Sequence, residues 1–543
     1  VYSGMQKNSL LVIAAAILVT GQVCAQGFTD VTNTSGIHHH HHSNNLMGGG
    51  IAVLDYNNDG WEDLFMTGGE SGNKLYRNVG NGTFVDVSTA AGLSGLPQHV
   101  SYGAVAGDLN NDGFQDLVIT TNMGFPEYVL RNAGDGTFLN IPQALGNSQP
   151  ESWATSASLA DVNLDGLLDI YIVCYVETGS ILTDSLGNMI GFAHDCYQNR
   201  LYINQGGFQF TESSSAYGLD DPGCGLALAF TDYDNDLDAD VIVANDFGAW
   251  VIPDRLFQNQ YPASEFYEIG ATSNMDAGIY GMGVAIADYD HDRDLDYYIT
   301  NMGSNRLHRN DNSTFSDQAE AAGVDNDSID GTMMSTSWGT MFMDYNNDMW
   351  QDLFVANGHI STGSLLTVAT DDPNKFFVNN NNGTFDDQTA ALGLGDITRS
   401  RGAVSLDFDN DGDLDIVVAT VDTQVNAAVG NTLFRNDLNQ SNHYLRVKPV
   451  GVFSNRDAIG THVRIFVGSD SWIEEVDGGS SHASNRSRIL HFGLRNNQVV
   501  DSLVVTFPRG IVHSFSQVAA DQLLVVPEDI ATATMVIDNR PEP

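Results

Sequence analysis

Basic residues are scarce in this chain of 543: 22 Lys and Arg stand against 69 Asp and Glu, a formal charge of −47. Nucleic acid and anionic membrane surfaces would be repelled by such a polyanion, so neither is expected as a partner. Charged residues make up only 17% of the chain, so the acidity comes from missing Lys and Arg and from Asp that is clustered. Cysteine is scarce too. Four in the whole chain exclude a disulfide framework. Cys174, Cys196 and Cys224 allow one bridge with a thiol left over, and the spacing does not choose the pair. No stretch reaches the ~20 apolar residues of a membrane span. The apolar run at 10–19 (LLVIAAAILV), with Lys7 before it and Val23-Cys24-Ala25 after it, fits a signal peptide over 1–25 that starts at Met5 and leaves Gln26 as the mature start. Gly21 and Val23 do not suit a lipoprotein box, so Cys24 is not read as an anchor. The expectation is a secreted protein. An apolar content of 42% and an aromatic content of 9% suffice for a packed core.

What the chain has in abundance is one pattern, D-x-[DN]-x-D-x-x-x-D, present seven times. It reads DYNNDGWED at 55–63, DLNNDGFQD at 108–116, DVNLDGLLD at 161–169 and DYDNDLDAD at 232–240, then DYDHDRDLD at 288–296, DYNNDMWQD at 344–352 and DFDNDGDLD at 407–415. Successive starts lie 53, 53, 71, 56, 56 and 63 residues apart. Before each loop comes a short apolar segment with small residues (YGAVAGD, GMGVAIAD). After it come a β-rich run (DLFMTG, DLVITT) and then L-[YF]-x-N with a Gly/Asn turn and a Phe. Each unit thus offers about four short strands, and units of this length cannot bury both faces alone. The seventh unit stops after Leu433-Phe434-Arg435-Asn436, and its missing strand stands at the N-terminus as Gly27 to Thr32. That strand would complete the last unit and remove an open edge. The fold class expected is all-β: a seven-bladed β-propeller over 26–440 with calcium loops, then a small β-rich domain.

Acidic or amide side chains at positions one, three, five and nine, with the carbonyl of position seven, surround one point with hard oxygen ligands, the donor set of Ca²⁺. The candidate ligands are Asp55, Asn57, Asp59, Trp61 and Asp63; Asp108, Asn110, Asp112, Phe114 and Asp116; Asp161, Asn163, Asp165, Leu167 and Asp169; and Asp232, Asp234, Asp236, Asp238 and Asp240. The remaining loops offer Asp288, Asp290, Asp292, Asp294 and Asp296; Asp344, Asn346, Asp348, Trp350 and Asp352; and Asp407, Asp409, Asp411, Asp413 and Asp415. No His or Cys stands among them, which argues against zinc or copper. Position twelve is apolar (Met66, Ile119) and the flanks are strands, which excludes an EF-hand. Turn preference alone explains an Asp-Gly but not three or four carboxylates crowded in every loop, where each like-charge pair costs on the order of 1 kcal/mol. Up to seven calcium ions are expected, with fewer occupied. Position six is Gly60, Gly113, Gly166 and Gly412 in four loops but Leu237, Arg293 and Met349 in loops four to six. A Cβ at positive φ is strained, so weaker binding is expected in loops four to six, and the weakest in loop five, where Arg293 adds a cation.

These residues resemble FG-GAP/VCBS propeller repeats. The segments 442–447 (NHYLRV), 454–460 (SNRDAIG), 490–494 (LHFGL) and 504–510 (VVTFPRG) look like an ASPIC/UnbV domain, although Phe507 and Arg509 stand where that family usually has Trp and Ser. The pairing is the architecture of the cartilage acidic protein family. The resemblance implies an acidic, secreted, calcium-binding protein with an adhesion or matrix-like role, and domains at 26–440 and 441–527 followed by a tail over 528–543. Alternating apolar residues at Leu445, Val447, Val463, Ile465 and Val467 read as strands, and Asn455-Arg456-Asp457 as a turn with an internal ion pair.

Other features weigh less. The run His38 to His42 suits at most a weak transition-metal site, and Asn357-Gly358-His359 is read as structural. Sequons stand at Asn33, Asn81, Asn312, Asn326, Asn382, Asn439 and Asn485. No catalytic residues are expected, and no G-x-S-x-G, Walker, H-E-x-x-H or Rossmann motif is present. The leading expectation is a non-enzymatic scaffold or adhesion protein with a glycan, matrix or protein partner and scope for self-association. The alternatives are a homopolymeric fibre or surface-layer subunit, and a polysaccharide lyase or hydrolase with an inserted loop in the 71-residue spacing.

Overall fold

The computed structural model describes residues 27–97, 99–146, 152–329, 331–360, 371–424, 430–438 and 441–529, with the backbone of 537–538. The signal-peptide reading lies outside these residues. Seven sheets follow one another along the chain, six of four antiparallel strands and the seventh of four such strands joined by a short parallel fifth, His41–His42. In the first, Ile51–Leu54 pairs with Asp63–Met66, which pairs with Lys74–Asn78, which pairs with Phe84–Asp86. The first strands of the sheets line one axis and touch in sequence, and Ser400–Leu406 of the seventh returns to Ile51–Leu54 of the first, so the sheets form a closed ring. Closure uses the N-terminal strand as the sequence suggests. Phe28–Asp30 pairs with Thr432–Asn436, Phe28 opposite Asn436.

Inner strands such as Ser101–Gly107 (SYGAVAG) are buried at every residue, because each lies between two neighbours around a narrow axis. A Cβ on Gly103 would stand 2.7 Å from the Thr155 carbonyl, and one on Gly339 2.4 Å from that of Arg401. Apolar clusters then bind each sheet to the next: Leu54, Phe65 and Leu75 pack against Leu117 and Leu130, and Leu406 and Val417 of the seventh sheet against Val53 and Leu64 of the first.

The long spacing between loops three and four is a hairpin, Val176–Thr183 with Met189–Cys196, at the end of its sheet opposite the Asp loop. It presents Leu186 (85% exposed), Ile190, Ile181 and Leu182 to solvent. The one disulfide among the described residues joins Cys196 to Cys224 and ties this hairpin to Cys224–Thr231, while Cys174 is free and buried.

The histidine run is structural. His41–His42 pairs in parallel with Val421 and Asp422, and the His39 and His41 rings meet the Thr67 carbonyl at 3.0 and 3.2 Å. Burial lowers the pKa of His39 to about 4 and that of His41 to about 3, so both rings are neutral.

The C-terminal part folds as two sheets around Leu445, Val463, Ile465, Trp472, Phe492 and Val505. It is not an appended module standing clear of the ring. Between Asp470–Glu475 and Leu490–Arg495, residues 477–486 (DGGSSHASNR) run into the axis of the ring. Ser481 and Val284 exchange backbone hydrogen bonds of 2.6 and 3.0 Å, and Asn485 donates to the Ile51 carbonyl at 2.9 Å and accepts from Val53 at 3.1 Å. Ala104 donates to Ala483 and Leu159 to Gly478, both at 3.1 Å. The Ser481 hydroxyl accepts from Thr340 N–H at 3.1 Å and donates to the Ala403 carbonyl at 2.9 Å. Thr231 of the fourth sheet donates to Glu475 at 2.9 Å. Every sheet is thus bonded to this part of the chain. Gly478 is required, since its Cβ would lie 1.8 Å from the Leu159 carbonyl oxygen.

Candidate metal centres

The seven Asp loops share one internal hydrogen-bond pattern. The position-one carboxylate accepts the position-six N–H, from Gly60 to Asp55 at 2.9 Å, Leu237 to Asp232 at 2.9 Å and Arg293 to Asp288 at 3.1 Å. The position-five carboxylate accepts the position-seven N–H, as from Trp61 to Asp59 at 3.0 Å and Asp413 to Asp411 at 2.9 Å. Positions four and six both lie in the left-handed region in every loop. Leu237, Arg293 and Met349 take φ of 74, 77 and 81°, close to the glycines they replace, so the strain expected in loops four to six is present.

In loops four, five and seven, oxygens of Asp232, Asp234 and Asp240, of Asp288, Asp290 and Asp296, and of Asp407, Asp409 and Asp415 lie within 4.8 Å of one another. Loops one, two, three and six carry Asn57, Asn110, Asn163 and Asn346 at position three, with the same backbone fold. Buried oxygens of Asp234, Asp240, Asp288 and Asp409 have no hydrogen-bond partner. Carboxylates crowded this closely, with oxygens no protein donor satisfies, fit a hard divalent cation. Burial drives the position-nine groups upward, Asp63 to about 9 and Asp116 to about 8, and Asp169, Asp240, Asp296, Asp352 and Asp415 well above the usual range. A bound cation would remove that penalty by favouring the ionised form. In loop five Arg309 reaches Asp290 at 2.9 Å, a second cation beside Arg293, whose Nε donates to the Asp292 carbonyl at 3.3 Å.

The asparagine of L-[YF]-x-N is a site residue that motif reading passed over, although it ends the third strand of all seven units. Its N–H donates to the position-nine carboxylate, as from Asn78 to Asp63 at 2.8 Å and Asn310 to Asp296 at 2.8 Å. Its side-chain amide donates to the position-two carbonyl of the preceding sheet, as from Asn132 to Tyr56 at 2.7 Å. Position four laces loops in the other direction: Asn58 donates to Gly113, Asn111 to Gly166 (both 2.8 Å) and Asn347 to Gly412 at 3.2 Å.

The C-terminal domain covers this ring of loops. Arg446 pairs with Asp407 at 2.5 Å, and His462 stands 3.5 Å from Asp232. Asp457 accepts the Asp108 N–H at 2.6 Å and pairs with Arg488 at 2.6 Å. The internal Arg456–Asp457 pair expected from sequence is replaced by a pair with Arg488 of the same domain and by the Asp108 N–H across the interface, because both compete for the carboxylate. The turn itself stands, with Asn455 bonded to both backbone groups of Ile459. Asn357 is structural as read, donating to the Pro373 carbonyl and Asp372.

A ring of FG-GAP repeats joined to an ASPIC/UnbV domain is the class this arrangement defines. The chain matches the FG-GAP-like repeat over 55–119, 121–172 and 344–418, the FG-GAP repeat over 101–138, and ASPIC and UnbV over 451–533. Over most of its length the chain is also similar to cartilage acidic protein 1. It is 24% identical to cartilage acidic protein 1 of Mus musculus over 96% of this chain and 80% of that protein. With cartilage acidic protein 1 of Homo sapiens it shares 23% over 85% of this chain and 69% of that one. Among solved structures it is similar to an Agrocybe aegerita lectin described for recognition of non-reducing terminal N-acetylglucosamine (TM-score 0.40, 16% identity, 72% of this chain and 94% of that chain).

Proposed function

We propose that the protein is a secreted calcium-binding scaffold or adhesion protein, without enzymatic activity, that meets an extracellular glycan, matrix or protein partner. The observation that carries the calcium reading is the set of buried, partnerless carboxylate oxygens in loops four, five and seven. Asp, Asn and backbone carbonyls would hold the ions. What calcium supplies is charge neutralisation that lets the loops stay folded while buried, together with stabilisation by mass action, since the unfolded chain has no such sites. Similarity to cartilage acidic protein 1 supports the scaffold role.

The placement of the C-terminal domain bears on where a partner binds. That domain covers the Asp-loop face and fills the axis, which leaves the rim, the opposite face and the domain's own outer surface, where Phe453 and Val512 are exposed, for a partner. On the opposite face the Cys196-tethered hairpin projects Leu186 and Ile190. Calorimetric titration of the metal-free protein with calcium should give several sites per chain. Binding to immobilised glycans or matrix should be stronger in calcium than in chelator. A flat titration, or turnover of an offered polysaccharide, would contradict the reading.

A further inference from the structure

We infer that the C-terminal domain is a stopper latched by the loaded loops, so that cations in the ring and the plug in its axis stabilise each other. This rests on the calcium reading above and adds what the calcium regulates.

The plug's bonds run to inner strands of the ring, but the domain is seated at its rim by the loops themselves. Three position-four asparagines, none of them a candidate ligand, turn their side-chain oxygens to the domain. Asn111 accepts from Arg456 N–H at 3.0 Å, Asn347 meets the His491 Nε2 at 2.6 Å, and Asn410 accepts from Arg446 at 2.8 Å. All three hold left-handed backbone, with φ of 59, 55 and 58°, a conformation that exists because the loop wraps around its centre. The domain also bonds directly to position one: Arg446 to Asp407 at 2.5 Å and the Ile473 N–H to Asp288 at 3.3 Å. Remove the cation and the crowded carboxylates repel, the wrap loosens, and the latch groups lose their aim. Meanwhile the plug has little apolar surface of its own to hold it. It is Gly478, Gly479, three serines, His482, Ala483 and Asn485 between Asp477 and Arg486, which pair at 2.9 Å, and most of it bonds backbone groups of the ring, so once released it is readily solvated. Thermodynamic reciprocity then requires the seated plug to tighten cation binding in the loops.

The test uses the full chain, by hydrogen exchange in calcium and in chelator below both melting temperatures, with calcium binding measured in parallel by calorimetry. Chelation should speed exchange at the Ser481 and Asn485 amides by roughly tenfold or more while the sheet strands stay protected. Unchanged exchange at these amides, in a chain that calorimetry shows to have lost bound calcium, overturns the latch and leaves the calcium reading intact. A flat calorimetric titration overturns both. The double variant N111A/N347A keeps every ligand. It should bind the same number of ions more weakly and show faster plug exchange in calcium, whereas wild-type affinity and exchange would overturn the inference. Should it fail to fold, the single variant Asn111→Ala, which removes only the acceptor of the Arg456 N–H on the domain side, carries the same expectation, with the same contrary result.

Discussion

The side-chain amide of Asn78 lies 2.7 Å from the carbonyl of Phe408, fastening the first sheet to the Asp loop of the seventh. The same bond recurs at every step round the ring, from Asn204 to Leu109, Asn259 to Val162, Asn379 to Tyr289 and Asn436 to Tyr345. One residue per unit therefore does two jobs: its backbone N–H orients the position-nine carboxylate, and its side chain staples neighbouring sheets.

Replacing one staple should be costly. Asn132→Ala leaves the buried Tyr56 and Gln115 carbonyls without their donor, a loss of about 1–3 kcal/mol. Denaturant unfolding in saturating calcium measures it, and a loss under about 0.5 kcal/mol would show that the staple is dispensable.

Loss of a single ligand should be felt next door. Asp415→Ala removes the buried position-nine group of loop seven, and elemental analysis should find one ion fewer per chain. Asn347 of loop six donates to Gly412 and Asp413 of loop seven, so calcium affinity at loop six should also fall. An unchanged ion count would remove loop seven from the sites.

The pH dependence should change sign with calcium. Without cations, burial raises Asp63 to about 9, Asp116 to about 8 and Glu474 to about 7. A carboxyl raised on folding binds more protons folded than unfolded. Its stabilising contribution is full below the unfolded value near 4 and is lost as pH rises through the folded value. The chelated protein should thus melt lower at pH 8 than at pH 5.5, by roughly 5 °C or more. With saturating calcium, which binds the ionised form, the order should reverse. Scanning calorimetry at both pH values in both buffers decides it.

Glycan attachment in a eukaryotic secretory host should follow burial rather than sequon. Asn33, Asn81, Asn312 and Asn382 are exposed, whereas Asn485 lies in the plug at 1% exposure and donates to the Arg486 carbonyl. Peptide mapping should find glycans at some of the first four and none at Asn485; a modified Asn485 in folded protein would mean the plug is not seated.

The ring was legible because its signals are local and repeated. Asp55 to Asp63 declares a loop, its recurrence declares the number of units, and the stray Gly27-Phe28-Thr29-Asp30 declares where the last sheet closes. The plug was not legible. DGGSSHASNR has the composition of a solvated loop, and its partners, Ile51, Ala104 and Val284 among them, are backbone groups hundreds of residues away that no side-chain pattern marks. The partner of Asp457 escaped for the same reason: adjacency to Arg456 suggests a local pair, while the fold supplies Arg488 and a loop-two N–H. The histidine run suited at most a weak metal site in sequence, and composition could not show that one nitrogen of His39 and one of His41 meet the Thr67 carbonyl.

The central proposal is that divalent ions are held among the clustered aspartates, and thermal melting in millimolar calcium against EDTA, with metal analysis of the same sample, tests it most directly. Several calcium ions per chain and a melting temperature that falls by roughly 10 °C or more on chelation are expected, because ions bound only by the folded loops stabilise it by mass action. Identical melting in both buffers, in protein that carries no calcium, would contradict it.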